Sequence, residues 1–237
     1  MPPRVAQGAD EAGPSTFVAE KSPAFRFAFL QVLMQRGYLL DADAKALYRR
    51  ICSVSNDALY FEFLRDVNQQ LDYAHFQLRR VKYPGDAQEY IGFVNREADE
   101  ESKRSGRYRG KDGKPDVRHT AFFRALLESI ATEDTGREGG LGFITSTAAL
   151  NLNLPAEPAT QTADGALQAS QASALRELSK REREAALGQF AADGWLAAVP
   201  DRPGCYTLGV RSLLELGEYI LSLDLPDSRR DLLTAIL

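Results

Sequence analysis

Four side chains offer the chemistry that most often signals catalysis or metal binding: His75, His119, Cys52 and Cys205. A Ser-His-Asp or Cys-His arrangement needs an imidazole within hydrogen-bond reach of its nucleophile, and only two histidines exist to supply one. A zinc site needs clustered thiolates and imidazoles, and no two of these four residues stand at ligand spacing. The glycine-rich stretch GREGGLGF, residues 136–143, lacks the Lys-Ser/Thr of a phosphate-binding loop. It lies between two helical patterns rather than after a strand, so it reads as a turn. The expectation is a chain with no catalytic residues, no metal ligands and no cofactor.

Phosphate recognition is the remaining chemistry to weigh. Arg79, Arg80 and Lys82 fall on one strand-like run. Lys103, Arg104, Arg107, Arg109, Lys111, Lys114 and Arg118 crowd a second stretch, with Tyr108 among them. A cationic segment of this kind contacts phosphates without reading bases, and its binding weakens steeply with salt. The acidic run Glu97, Asp99, Glu100 and Glu101 partly neutralises it, and a net charge of −4 argues against bulk coating of nucleic acid. Arg79, Arg80, Lys82, Arg107, Arg109 and Lys111 are therefore the candidates for a weak, non-specific DNA contact.

These residues need elements to hold them. Residues 1–21 are rich in Pro, Gly and Ala and read as a disordered tail. Ser22-Pro23 places a capping hydroxyl before a proline at the first helical position, and Gly37 closes the helix. Phe25, Phe29, Val32 and Leu33 line one side of it, and Phe27, Leu30 and Met34 another. Both sets cannot face one small core, so Phe27, Leu30 and Met34 are the candidate partner-binding residues. Asp41 is placed to cap a second helix. A third opens near Asn56 and sets Tyr60, Leu64, Val67 and Leu71 along one face. The runs AHFQLRRVKY and QEYIGFV follow, joined by Pro84-Gly85-Asp86, which suits a type II turn.

The third helix exposes Asp57, Glu62, Asp66 and Asp72 against a lone Arg65, a face that repels a phosphate backbone. After a charged linker at 96–116, the plan repeats. Phe122, Phe123, Leu126, Leu127 and Ile130 mark a helix, TSTAALNL a short second one. Ser179 and Glu182 form a capping box ahead of a third, which ends at Gly194 before a hairpin, LAAVPDRPGCYTLG. A closing helix aligns Val210, Leu213, Leu214, Gly217, Ile220 and Leu221, with Gly217 allowing a close approach. The fold class is mostly α (α+β): tandem winged-helix domains, each three helices plus a β-hairpin wing. The first spans residues 22–95 and the second 117–223, with a low-complexity insertion at 153–172 and a C-terminal tail at 224–237.

Two cysteines in unrelated contexts suit a reduced intracellular compartment, with both thiols in the core. No apolar run approaches the roughly 18 residues that span a membrane, and the N-terminus lacks a signal peptide's apolar stretch.

Several blocks in order resemble a known family: RFAFLQVLMQRGYLLDADAKALYRRI, EYIGFVNREADEESKRSG, AFFRALLESIATEDTG with GFITSTAALNL, and LSKREREAALGQFAADGWLAAVPDRPGCYTLGVRSLLELGEYI. They resemble the non-SMC element one family, subunits of the Smc five-six chromosome-maintenance complex, from about residue 25 to 222. The resemblance implies a tandem winged helix that docks on a MAGE-family subunit and, with it, on the kleisin subunit. It also implies a nuclear role in recombinational DNA repair. The family continues into a RING-like zinc domain associated with ubiquitin-ligase activity. Two zinc ions with four ligands each require eight Cys or His, against the two of each here, so zinc is expected only with a RING downstream. The main reading is a non-enzymatic interaction subunit. The alternatives are a RING ubiquitin-ligase subunit without its zinc domain, or a stand-alone winged-helix DNA-binding regulator.

Overall fold

A computed structural model describes residues 22–96, 117–133, 140–154 and 178–237. The N-terminal tail, nearly all of the charged linker and most of the 153–172 insertion lie outside the described residues.

Among the described residues the chain is mostly helical, with two small antiparallel sheets. The first half runs α1 (Pro23–Arg36), β1 (Tyr38–Leu40), α2 (Asp41–Cys52), α3 (Tyr60–Leu71), β2 (Phe76–Lys82) and β3 (Glu89–Asn95). The second repeats the order with α4 (Val117–Thr132), β4 (Phe143–Thr145), α5 (Ser146–Leu150), α6 (Lys180–Ala192), β5 (Leu196–Ala198) and β6 (Cys205–Leu208). Two more helices follow, α7 (Val210–Leu221) and α8 (Asp227–Ile236). The sheets have equivalent orders, β1-β3-β2 and β4-β6-β5. Each half thus holds a strand that the sequence reading lacked. Three residues are too few for a period of two to show.

Local chemistry explains most boundaries and corrects several. Pro23 fixes the first turn of α1, but the Ser22 hydroxyl makes no capping bond. Gly37 ends α1 at φ 81° and donates its N–H to the Leu33 carbonyl at 2.7 Å. Leu40, not Asp41, caps α2. The Asp41 carboxylate is buried instead, accepting from Lys45 Nζ at 2.9 Å and from the Tyr60 hydroxyl at 3.2 Å, with Arg80 Nε 3.2 Å away. It ties α2 to α3 and β2. Asn56 turns the chain by accepting from the Ala58 N–H, and α3 opens four residues later.

The first hairpin does not use a type II turn at Gly85. Ala87 is the left-handed residue, at φ 59°, and its N–H reaches the Tyr83 carbonyl at 2.8 Å. Asp86 holds this loop through the Gln88 N–H at 2.9 Å and the Tyr90 hydroxyl at 2.6 Å. Side-chain bonds fix the turn that a glycine was expected to make.

In the second half, the capping box of Ser179 and Glu182 is present on α6, and Thr145 caps α5 by accepting from the Ala148 N–H. Arg183 is buried and donates to the Leu150, Leu152 and Leu178 carbonyls at 3.1, 2.6 and 3.2 Å. One guanidinium therefore pins together the chain on either side of residues 155–177.

Residues 224–237 are not a tail. In α8, Leu233 is fully buried and Arg229 donates to the Ile130, Ala131 and Glu133 carbonyls at the end of α4. This helix stayed hidden because it is short and charged, and because one buried arginine does work that periodicity cannot report. Gly217 does allow a close approach, and the approaching group is Leu237 after α8: a Cβ on Gly217 would lie 2.7 Å from it.

Two cores result. Phe29, Leu33, Tyr48, Tyr60, Phe63, Val67, Leu78 and Ile91 form the first. The second gathers Phe122, Leu126, Leu127, Ile130, Leu187, Phe190, Leu208 and Leu213, and it takes in Val81, Tyr83 and Val94 from the first hairpin. Alternation explains this: Leu78 and Ile91 point to one face of the first sheet, Val81 and Val94 to the other. The Tyr83 hydroxyl reaches across to the Leu208 carbonyl at 3.0 Å. At Gly92 a Cβ would lie 2.7 Å from Leu214 Cδ1, so α7 lies directly on the bare backbone there.

Candidate partner-binding face

α1 divides its apolar residues between two environments. Phe29 and Leu33 have no exposed surface and build the first core, where Phe29 meets Phe63 edge to face with centroids 5.3 Å apart. Phe27 and Met34 are 69% and 55% exposed. Leu30 lies between them, half-buried and packed against the first core. Phe27 and Met34 therefore share a solvent-facing ridge, and Leu30 forms its inner edge. Phe27 and Met34, at i and i+7, are the candidate contact residues of this ridge.

Two further exposed aromatics escaped the sequence reading, Phe61 at 53% and Tyr73 at 86%. A signal for Phe61 existed: Tyr60, Phe61, Phe63 and Leu64 exceed what one helix face can bury. Its ring lies beneath two cations, the Arg80 guanidinium at 5.0 Å and Lys45 Nζ at 5.5 Å. Below this cluster, burial first and then the Asp41 charge push the Tyr60 hydroxyl far above its ordinary pKa, so it stays a proton donor to Asp41.

The basic candidates on β2 separate. Arg79 faces α7, donating to Glu218 Oε1 at 2.7 Å and to the Leu214 carbonyl at 3.3 Å. Arg80 bonds Glu89 at 2.5 Å and sits beside Asp41. Lys82 is exposed at the strand end. Arg107, Arg109 and Lys111 lie outside the described residues. The structure does not gather Arg79, Arg80 and Lys82 into one free cationic surface.

Cys52 and Cys205 are buried and neither forms a disulfide. Among the described residues no three His, Cys, Asp or Glu side chains converge to hold a metal ion, and no helix is long and apolar enough to cross a membrane. The glycine-rich stretch has a packing reason at its end: a Cβ on Gly142 would lie 2.0 Å from the Ile130 carbonyl oxygen. The second hairpin is fastened to its neighbours, with Arg202 over the Phe143 ring at 4.6 Å and Arg211 over Trp195 at 4.3 Å. The Ser212 hydroxyl donates to the Trp195 carbonyl at 2.6 Å.

A family model described as the Nse1 non-SMC component of the SMC5-6 complex matches residues 26–216. Non-structural maintenance of chromosomes element 1 homologs from Xenopus tropicalis and Bos taurus are similar to this chain, at 28% and 25% identity over 82% and 81% of it. The chain spans 61% of the length of each relative. Among solved structures, a chain of an Nse1-Nse3-Nse4 complex aligns at a TM-score of 0.65 and 24% identity, over 85% of this chain and 75% of that one. That likeness is one of fold.

Proposed function

This chain belongs to the family of Nse1 non-SMC components of the SMC5-6 complex, and on that premise we propose that it acts as a non-enzymatic docking subunit. Its two halves are read as tandem winged helices, since each carries three helices followed by a hairpin in the same order. The Phe27/Leu30/Met34 face of α1 binds the MAGE-family subunit, and together they engage the kleisin subunit that bridges the Smc heads. The setting is nuclear, in recombinational DNA repair. The observation that carries this reading is the exposure of Phe27 and Met34 on a helix whose opposite face is fully buried.

Burying a large apolar side chain is worth about 1.5–3 kcal/mol, so Phe27→Glu or Met34→Glu should weaken association by roughly tenfold or more. Thermal unfolding of the free chain should be unchanged for both. Leu30→Glu should lower association and stability together, because Leu30 also packs on the first core. Wild-type binding by the Phe27 and Met34 variants would remove this face from the interface.

Any DNA contact is proposed to be weak, salt-dependent and carried by Lys82, Arg107, Arg109 and Lys111, because Arg79 and Arg80 already serve protein carboxylates. No residue of this chain is assigned to ubiquitin transfer.

A further inference from the structure

Phe27, Leu30 and Met34 recur at i, i+3 and i+7, forming a ridge about 10 Å long of the kind that seats in the groove between side-chain rows of a second helix. The helix bearing it, PAFRFAFLQVLMQR, contains no acidic residue, and its charges are Arg26 and Arg36. Arg26 precedes Phe27 and stands one turn before Leu30, at the edge of the ridge. It is half-buried, and its Nε is shut away from solvent with no hydrogen-bond acceptor.

Arg80 and Arg211 also hold a buried nitrogen without a hydrogen bond, but they and the other arginines of comparable or deeper burial have partners elsewhere on the guanidinium. Arg79 has Glu218, Arg80 has Asp41 and Glu89, Arg211 has Glu215, and Arg229 has three carbonyls. Arg26 alone of these sits on the exposed ridge, and no acceptor for its guanidinium is present among the described residues. A cation left without an acceptor beside an apolar contact surface disfavours burial of that surface unless the arriving partner brings an anion.

We propose that the α1 ridge receives an amphipathic helix of the partner subunit that carries an Asp or Glu at its edge, placed to pair with Arg26. The inference rests on the docking reading above and adds the chemistry of the occupant. The apolar ridge supplies affinity, and the Arg26–carboxylate pair fixes which way the partner helix lies.

The test titrates the full chain, as wild type, Arg26→Gln and Arg26→Glu, against the purified MAGE-family subunit at about 50 mM and about 500 mM salt, across which exposed charge pairs become screened. Arg26→Glu should weaken binding about tenfold at the lower salt and much less at the higher, with Arg26→Gln between and all thermal midpoints alike. If Arg26→Glu binds like wild type while Phe27→Glu and Met34→Glu weaken, the acidic helix is wrong and the docking face stands. If none of the three weakens binding, both fall. Removing residues 1–21 separates another source of the carboxylate: loss of the Arg26 effect in that shortened chain would assign the anion to this protein's own N-terminal segment and overturn the proposal. Arg26-dependent self-association of the chain without the MAGE-family subunit would assign the ridge to a second copy, with the same result.

Discussion

The two hairpins of this chain have the same place in the same element order, yet one reaches into both cores and the other into one. The β2–β3 hairpin carries apolar residues on both faces. Leu78 and Ile91 enter the first core, while Val81, Tyr83 and Val94 enter the second. The β5–β6 hairpin contributes Leu196 and Leu208 to the second core alone, its other face holds the half-buried Ala197 and Thr207, and Ala198 at the strand end is exposed. A sheet buried on one face belongs to its own unit. A sheet buried on both makes two units share one stabilising interior, so the repeated halves are held in a fixed relation by the first hairpin. This also bears on the basic residues of β2: a hairpin enclosed in this way is held in place, and its Arg79 is spent on α7.

The contrast is broken most severely by a charge. Val94→Asp places an unpaired carboxylate where 2% of the residue is exposed, and should lower stability by about 3 kcal/mol or more. Ala198→Asp on the other hairpin should change it by less than about 0.5 kcal/mol. Denaturant unfolding of both variants decides the matter, and equal effects would erase the distinction between the hairpins.

Tyr83 sharpens the comparison at a single hydrogen bond. Tyr83→Phe removes its bond to the Leu208 carbonyl and should lower stability by about 1 kcal/mol. Burial, with the nearby Asp86 charge and Tyr38 adding to it, pushes the Tyr83 hydroxyl up to about 12. A pKa raised in the folded state stabilises fully below the unfolded value of about 10 and loses that contribution as pH rises through the folded one. Stability should therefore fall between about pH 10 and 12, and less steeply in Tyr83→Phe. Tyr90 and Tyr219 also titrate near 12, held up first by a hydrogen bond to Asp86 and first by burial respectively, so the slope should be reduced without vanishing. Identical slopes in urea melts across this range would mean that Tyr83 does not report on the shared interior.

Much of this organisation was legible in the sequence, and the failures share a cause. Helices with an apolar stripe, such as those around Leu126 and Leu213, announce themselves by period, and the Ser179–Glu182 box announces its own start. The split of α1 was readable because its apolar residues exceed one face. What stayed hidden depends on partners distant in sequence. Asp41 resembled a cap because nothing local shows that Tyr60 and Arg80 will converge on it. The last helix resembled a tail because its anchor, Arg229, answers to carbonyls of α4 nearly a hundred residues earlier. Arg79 resembled a phosphate ligand because its carboxylate lies on α7, far along the chain. Local pattern reports on elements, whereas charge satisfaction is a property of the assembled fold.

The smallest expected effect tests that last point. Glu218 is 79% exposed in its side chain and Arg79 only 16%, so their ion pair is a rim contact over an already packed surface. Pairs of this kind contribute roughly 0–1 kcal/mol, and Glu218→Gln should alter stability by less than about 0.5 kcal/mol. The variant frees Arg79 of its carboxylate without disturbing the bond to the Leu214 carbonyl or the packing of its stem. If Arg79 were a DNA ligand held back only by Glu218, releasing it would strengthen DNA binding and steepen the salt dependence by about one phosphate contact. If the enclosed hairpin keeps Arg79 against α7, the affinity and the salt slope should rise by no more than the removal of one negative charge produces at any exposed site. Fluorescence anisotropy with one duplex over a salt series compares Glu218→Gln with a control, Glu62→Gln, on the exposed side of α3. Matching slopes would place the first hairpin on the scaffold side of the comparison, and a steeper slope for Glu218→Gln alone would return Arg79 to the DNA surface.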